Sequence, residues 1–109
     1  MSQDTKTVSR AVGRRIAAAR QSRRLSQQEL AQRLGWPRDT IAHYEYGRRA
    51  LRVERLASIA AALAIHPATL LIDDPRLALL VARLVTDTEL HEQVQFFVTT
   101  LTDADEQRP

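Results

Sequence analysis

The stretch from Ser26 to Arg49 constrains this chain more than any other. Ser26 followed by Glu29 is a capping box, which opens a helix by satisfying two of its orphan N–H groups. Leu30 and Leu34 lie one turn apart and supply that helix with a buried side. Gly35 then ends it, as a residue free to take positive φ does. Pro37 fits the first position of a following helix, where its missing N–H costs nothing. Ile41, Tyr44 and Trp36 point inward from there, and Gly47 stops the second helix. The stretch therefore reads as two short helices joined by a tight turn.

The flanking sequence continues in helices. Val12, Ile16 and Ala19 recur at helical spacing between arginines, which predicts a first helix over Val8 to Arg23. Gly13 weakens it by about 1 kcal/mol relative to Ala. Val53, Leu56, Ile59, Ala60 and Leu63 trace a fourth helix, and His66-Pro67 opens a short fifth whose apolar residues are Leu70, Leu71 and Ile72. After Asp73-Asp74-Pro75, Leu77, Leu80, Val81, Leu84 and Val85 form one stripe. Thr86 with Glu89 offers a second capping box, and Leu90, Val94, Phe97, Val98 and Leu101 form the next stripe. Aromatic residues are only 5% of the chain, so the core is built of Ala, Leu, Ile and Val, a composition that favours packed helices. The expected fold is all-α: a flexible arm over residues 1–7, a five-helix domain over 8–73, and a C-terminal helical hairpin over 74–109 with a frayed tail from Asp103.

Residues 9–72 resemble the phage-repressor-like (XRE, Cro/repressor type) helix-turn-helix family. The most specific piece is Gln27-x-x-Leu30-Ala31-x-x-x-Gly35 followed by Ile41-Ala42-x-x-Glu45-x-Gly47. Three departures stand beside it: Arg24 where the family's first turn carries glycine, Leu51-Arg52 where a serine cap follows a proline, and Trp36 in place of a small aliphatic residue. The resemblance implies a duplex-DNA-binding regulator whose third helix, residues 37–46, enters the major groove. It places Pro37, Arg38, Asp39 and His43 at base edges, and Gln27, Thr40, Tyr46, Arg48 and Arg49 at phosphates. Arg52 adds a further phosphate contact in place of a cap. Arg20 and Glu45 match a buried pair that ties the first helix to the end of the third.

The chemistry of these side chains suits those roles. Arg38 can bind guanine O6 and N7 in a bidentate way, worth ~1–3 kcal/mol of discrimination. Asp39 can accept from a cytosine amino group, orient Arg38, or favour the positive end of the helix. His43 can donate to guanine or to a phosphate, and Pro37 can pack on a thymine methyl. Charge is divided to match. Arg10 to Arg55 carries twelve arginines and four acids, a net +8, whereas Leu56 to Pro109 carries three arginines and eight acids, a net −5.

Other functions lack residues to perform them. The chain has no cysteine, which excludes disulfides and thiolate metal sites. His43, His66 and His91 are too far apart in sequence to suggest a metal site, and no cofactor is implied. Asp73-Asp74 and Asp103-Asp105-Glu106 read as solvated charge. Three glycines in all leave no phosphate-binding loop, and no Ser/His/Asp arrangement exists, so the chain is not expected to be an enzyme. No apolar run approaches ~18 residues and Met1–Thr7 is polar, which points to the cytoplasm rather than a membrane. The Leu90–Leu101 stripe lacks the basic polar face of a membrane-surface helix.

A single helix-turn-helix unit covers few base pairs, so the expected DNA-binding form is a homodimer acting as a repressor on a palindromic operator. The hairpin supplies the candidate interface through Leu84, Leu90, Val94, Phe96, Phe97 and Leu101. Phe96 and Phe97 are adjacent and cannot both face one core. The alternative is a protein-interaction module, such as an antitoxin or transcriptional adaptor, that binds a protein partner through residues 74–109.

Overall fold

The computed structural model describes residues 3–106, which form seven helices and no strand. They are α1 (Gln3–Ser22), α2 (Gln27–Leu34), α3 (Arg38–Glu45), α4 (Val53–Ala62), α5 (Ala68–Leu71), α6 (Pro75–Thr86) and α7 (Thr88–Glu106). None of them is long and apolar enough to cross a membrane. The first four end alike. A residue one or two positions past each takes a left-handed φ: Arg24 at 57°, Gly35 at 70°, Gly47 at 69° and Ala64 at 55°. The next N–H then reaches back to a carbonyl of the last turn, Leu25 to Arg20, Trp36 to Ala31, Arg48 to His43 and Ile65 to Ala60. This closure satisfies carbonyls that a helix end otherwise leaves open. Only two of the four positions are glycine. Arg24 therefore occupies the conformation that a glycine would take without steric cost.

The core draws on every helix of the head. Ile16, Leu30, Ile41, Ile59, Leu63 and Leu70 are the largest fully buried side chains, spanning α1 to α5. Each contributes roughly 1.5–3 kcal/mol by leaving water. Gly13 is explained by packing rather than propensity. A Cβ there would lie 2.5 Å from the Glu45 carbonyl oxygen and closer still to that of Tyr44, so α1 can cross the end of α3 only through a glycine. Arg15 pairs with Asp73 and donates to the Leu70 carbonyl at 3.0 Å, which fixes α1 to the end of α5.

Several boundaries differ from the sequence reading. The arm expected over residues 1–7 is helical from Gln3, with Asp4 in the first turn and the Thr7 hydroxyl donating to the Gln3 carbonyl. That turn has no apolar face, so hydrophobic periodicity could not reveal it. Met1 and Ser2 lie outside the described residues. Pro37 is the N-cap of α3 rather than its first residue, with φ −62° and ψ 144°. Val53, expected inside, is 77% exposed and lines an apolar groove of about 590 Å³ with Val8, Leu51 and Leu71. Asp73 and Asp74 are not merely solvated: Asp73 holds Arg15, and Asp74 caps α6 by accepting from the Arg76 N–H at 2.9 Å. The second capping box is displaced by one residue. Thr86 ends α6, its hydroxyl donating to the Ala82 carbonyl, and Asp87 accepts from the Leu90 N–H at the start of α7. The tail expected to fray from Asp103 stays helical to Glu106, and residues 107–109 lie outside the described ones.

The two C-terminal helices leave the head. α6 packs on α5 and α7 packs on α6, with Ala78 the one buried residue of α6 and no buried residue among those described on α7. Leu84, Leu90 and Val94 are half-buried. The Cα radius of gyration is 17.7 Å, against ~13 Å for a compact chain of this length. The hairpin thus projects, and its apolar surface is largely uncovered.

Candidate DNA interface

The site is a short helix held from behind. α3 is eight residues long, too short to persist alone. Ile41, Tyr44 and Glu45 turn inward, and Arg38, Asp39 and His43 are exposed on the opposite side. Three supports fix the inward side. The first is the α1 crossing at Gly13.

The second support is an ion pair. The Arg20 Nε donates to Glu45 Oε2 at 2.7 Å and its Nη2 to Oε1 at 3.0 Å, a bidentate fork, while Nη1 donates to the Leu25 carbonyl at 2.7 Å. Glu45 is only 7% exposed. The hydrogen bonds that Arg20 donates to Glu45 raise its pKa above the ordinary value, against an opposing effect of burial. The guanidinium therefore stays charged at any pH the protein meets. The Gln27 amide joins this pair, donating to Glu45 Oε1 at 3.0 Å. One amide hydrogen is thereby spent on Glu45 and the other is left for a second acceptor.

The third support was not visible in the sequence. The guanidinium of Arg55, on α4, lies 4.6 Å from the centre of the Trp36 ring and 6.0 Å from that of Tyr44. Its Nη1 donates to the Tyr44 hydroxyl at 3.1 Å, and the two rings meet edge to face at 6.4 Å. A cation against two aromatic faces is worth ~0.5–2 kcal/mol. It fastens α4 to the turn before α3 and explains the large residue at position 36. Nothing in the spacing of positions 36 and 55 announces this contact.

The rim beyond α3 is basic. Tyr46, Arg48, Arg49 and Arg52 are exposed, and the Arg48 guanidinium stacks 5.1 Å from the Tyr46 ring centre. Pro37 is exposed beside Arg38. Thr40 differs from the rest of the phosphate set. It is 9% exposed, one turn before Tyr44 on the inward side, so its place is in the packing. The remaining candidates, Gln27, Tyr46, Arg48, Arg49 and Arg52, surround the α3 surface from the start of α2 to the start of α4.

The helix-turn-helix family profile HTH_3 matches residues 16–70, about half of the chain. The chain belongs to the HTH_3 helix-turn-helix family. A crystal structure of a hypothetical transcription factor, NHTF from Neisseria, superposes with a TM-score of 0.60 at 29% identity, covering 68% of this chain and 87% of that one. No curated protein matches the chain in sequence. The HTH_3 match ends at residue 70, so α6 and all of α7 lie beyond it. As a helix-turn-helix protein with a basic face beside α3, the chain is a DNA-binding regulator of transcription.

Proposed function

We propose that this helix-turn-helix protein is a dimeric repressor that reads a palindromic operator with α3 in the major groove. The observation that carries the proposal is the α3 surface: Arg38, Asp39 and His43 exposed together and ringed by Arg48, Arg49 and Arg52. Arg38 reads guanine, with Asp39 beside it as orienter or cytosine acceptor, and His43 one turn on. Gln27, Tyr46, Arg48, Arg49 and Arg52 hold phosphates and set register without reading sequence. Repression is by occupancy, the bound dimer excluding polymerase. Two-fold symmetry puts the half-site centres about one helical turn, ~34 Å, apart. The exposed apolar residues of the hairpin, Phe96, Phe97 and Leu101 among them, support its assignment as the dimer contact.

The test is selection of binding sites from a random duplex library at ~150 mM salt, followed by two variants. The expected outcome is a palindrome, with Arg38→Ala relaxing preference at one base per half-site. Arg48→Ala should weaken all sequences alike and lower the salt slope by about one unit. Uniform loss from Arg38→Ala would refute the assignment of α3 to base reading. The same uncovered hairpin supports a second reading, in which residues 74–109 bind a different protein. A purified chain that stays monomeric at ~100 μM and selects no palindrome would favour that reading.

A further inference from the structure

The two C-terminal helices carry stripes of opposite charge that no ion pair among the described residues uses. α6 is apolar on almost every side. Ala78 faces the head, and Val81 and Leu84 are half-buried, which leaves a third strip formed by Arg76, Leu80 and Arg83. These residues recur at i, i+4 and i+7, so they stand in one row. Both arginines are exposed and Leu80 is 46% exposed. They are the only charged residues of α6, and neither makes an ion pair among the described residues.

α7 carries the complement. Glu89, Phe96 and Asp103 recur every seven residues and share one face, with Glu92 one turn before Phe96. α7 has no Lys or Arg. Phe96 is 75% exposed amid these acids, well away from the Leu90–Val94–Phe97–Leu101 row. Among the described residues this ring, at the centre of a charged strip, has no ring or cation contact.

We infer that the Arg76–Leu80–Arg83 row of one copy docks on the Glu89–Phe96–Asp103 row of a second copy, and reciprocally. This rests on the dimeric reading above and states which faces meet. A two-fold contact requires each face to find its complement on the partner, and both complements lie on this chain. The spacings differ by ~4.5–6 Å on each side, a gap the long arginine side chains must bridge. At ~1.5 Å rise per residue the arginines stand ~6 and ~4.5 Å along the axis from Leu80, and Glu89 and Asp103 stand ~10.5 Å either side of Phe96. With Leu80 set against Phe96, arginine side chains splayed outward reach the acids. Pairing α7 with α7 instead would put acids against acids with no cation between them.

The experiment uses the full-length protein and sedimentation equilibrium across ~0.1–100 μM. The variants are Arg76→Glu with Arg83→Glu, and Glu89→Arg with Asp103→Arg. Each pair sits on exposed positions, and circular dichroism with urea unfolding checks that each variant remains folded. The expected result is a loss of at least tenfold in dimer affinity for either variant alone. Mixed one to one, the two should form a heterodimer near the parent's affinity, because each supplies the sign the other lacks. Phe96→Ala should weaken the dimer without altering its salt dependence. Dimers that ignore both reversals would overturn these faces while keeping a dimer. A parent that is monomeric throughout would overturn the dimeric reading itself. Failure of the mixed variants to associate, each folded alone, would also overturn the pairing.

Discussion

Gly13→Ala sets helix propensity against packing, and the structure decides which wins. On propensity alone the substitution stabilises a twenty-residue helix by about 1 kcal/mol. In place, the added Cβ would meet the carbonyl oxygens of Tyr44 and Glu45, the latter at 2.5 Å, with the Glu45 carbonyl carbon at 2.9 Å. Ordinary C···O contacts are ~3.3–3.6 Å, so the two helices must separate by about 1 Å. The obstacles are backbone atoms, which have no rotamer to change. Overpacking of this kind costs ~1–3 kcal/mol, and a rigid obstacle belongs at the upper end. The expected net loss is roughly 1–2 kcal/mol, or about 4–8 °C in Tm for each kcal/mol lost. Urea unfolding measures it as a lower midpoint at unchanged slope. Ala18→Gly, at an exposed position on the same helix, should lose about 1 kcal/mol through propensity alone and calibrates that effect. Because Tyr44 and Glu45 end α3, Gly13→Ala should also weaken operator binding at temperatures where it is fully folded. A variant as stable as the parent, or more so, would refute the steric argument.

Further perturbations separate the supports from one another. Arg24→Gly and Ala64→Gly should each raise stability by up to ~1 kcal/mol, since both residues hold a left-handed φ, whereas Gly35→Ala should lower it by about that amount; urea midpoints check all three. Glu45→Ala leaves the Arg20 guanidinium buried without its carboxylate and should cost ~3–5 kcal/mol. Arg20's share of that pair, its pKa being raised, is fully present below its ordinary value and would fade only in strong alkali. Ser26→Ala should cost ~1 kcal/mol. The Ser26 N–H and hydroxyl hold the Glu29 carboxyl below its ordinary pKa, so its contribution is present above that value and lost as pH falls through the folded one. The gap between parent and Ser26→Ala should therefore narrow in acid, and an NMR titration should find Glu29 moved back up in the variant.

The helices of the head were legible because each is written in local signals. Ser26 and Glu29 form the capping box the sequence describes, with the Ser26 hydroxyl accepting from the Glu29 N–H at 3.0 Å and Glu29 Oε1 from the Ser26 N–H at 3.0 Å. Leu30, Ile41, Ile59 and Leu63 are buried as their spacing requires. What local signals cannot express is which helix lies behind which. Gly13 reads as a weak point until Tyr44 and Glu45 stand against it, and Arg55 reads as one more surface arginine until Trp36 lies beneath it. The family resemblance supplied Arg20 with Glu45, yet not the Gln27 amide that joins them. The burial of Thr40 was hidden for the same reason: one turn of an eight-residue helix contains both inward and outward positions, and only packing tells them apart. At the hairpin the stripes were legible, but the cap shifted from Thr86 to Asp87 because either residue can accept a backbone N–H.

The arrangement has a consequence for how sequence is read. α3 spends its inward side on three attachments from three different helices: the glycine crossing of α1, the Arg20–Glu45–Gln27 cluster that includes the start of α2, and the Arg55 clamp from α4. None of the three touches Arg38, Asp39 or His43 through any recorded bond. The side chains proposed to read bases can therefore vary while the helix that carries them keeps its place. The supports, in contrast, are coupled to phosphate contact. Gln27 holds Glu45 with one amide hydrogen and keeps the other, so on the proposed reading a phosphate bound at Gln27 would be positioned by the same carboxylate that anchors α3. On that reading, register on the DNA backbone and orientation of α3 would both depend on one side chain, Glu45. Substitutions there should shift both together, whereas substitutions at Arg38 should change sequence preference alone.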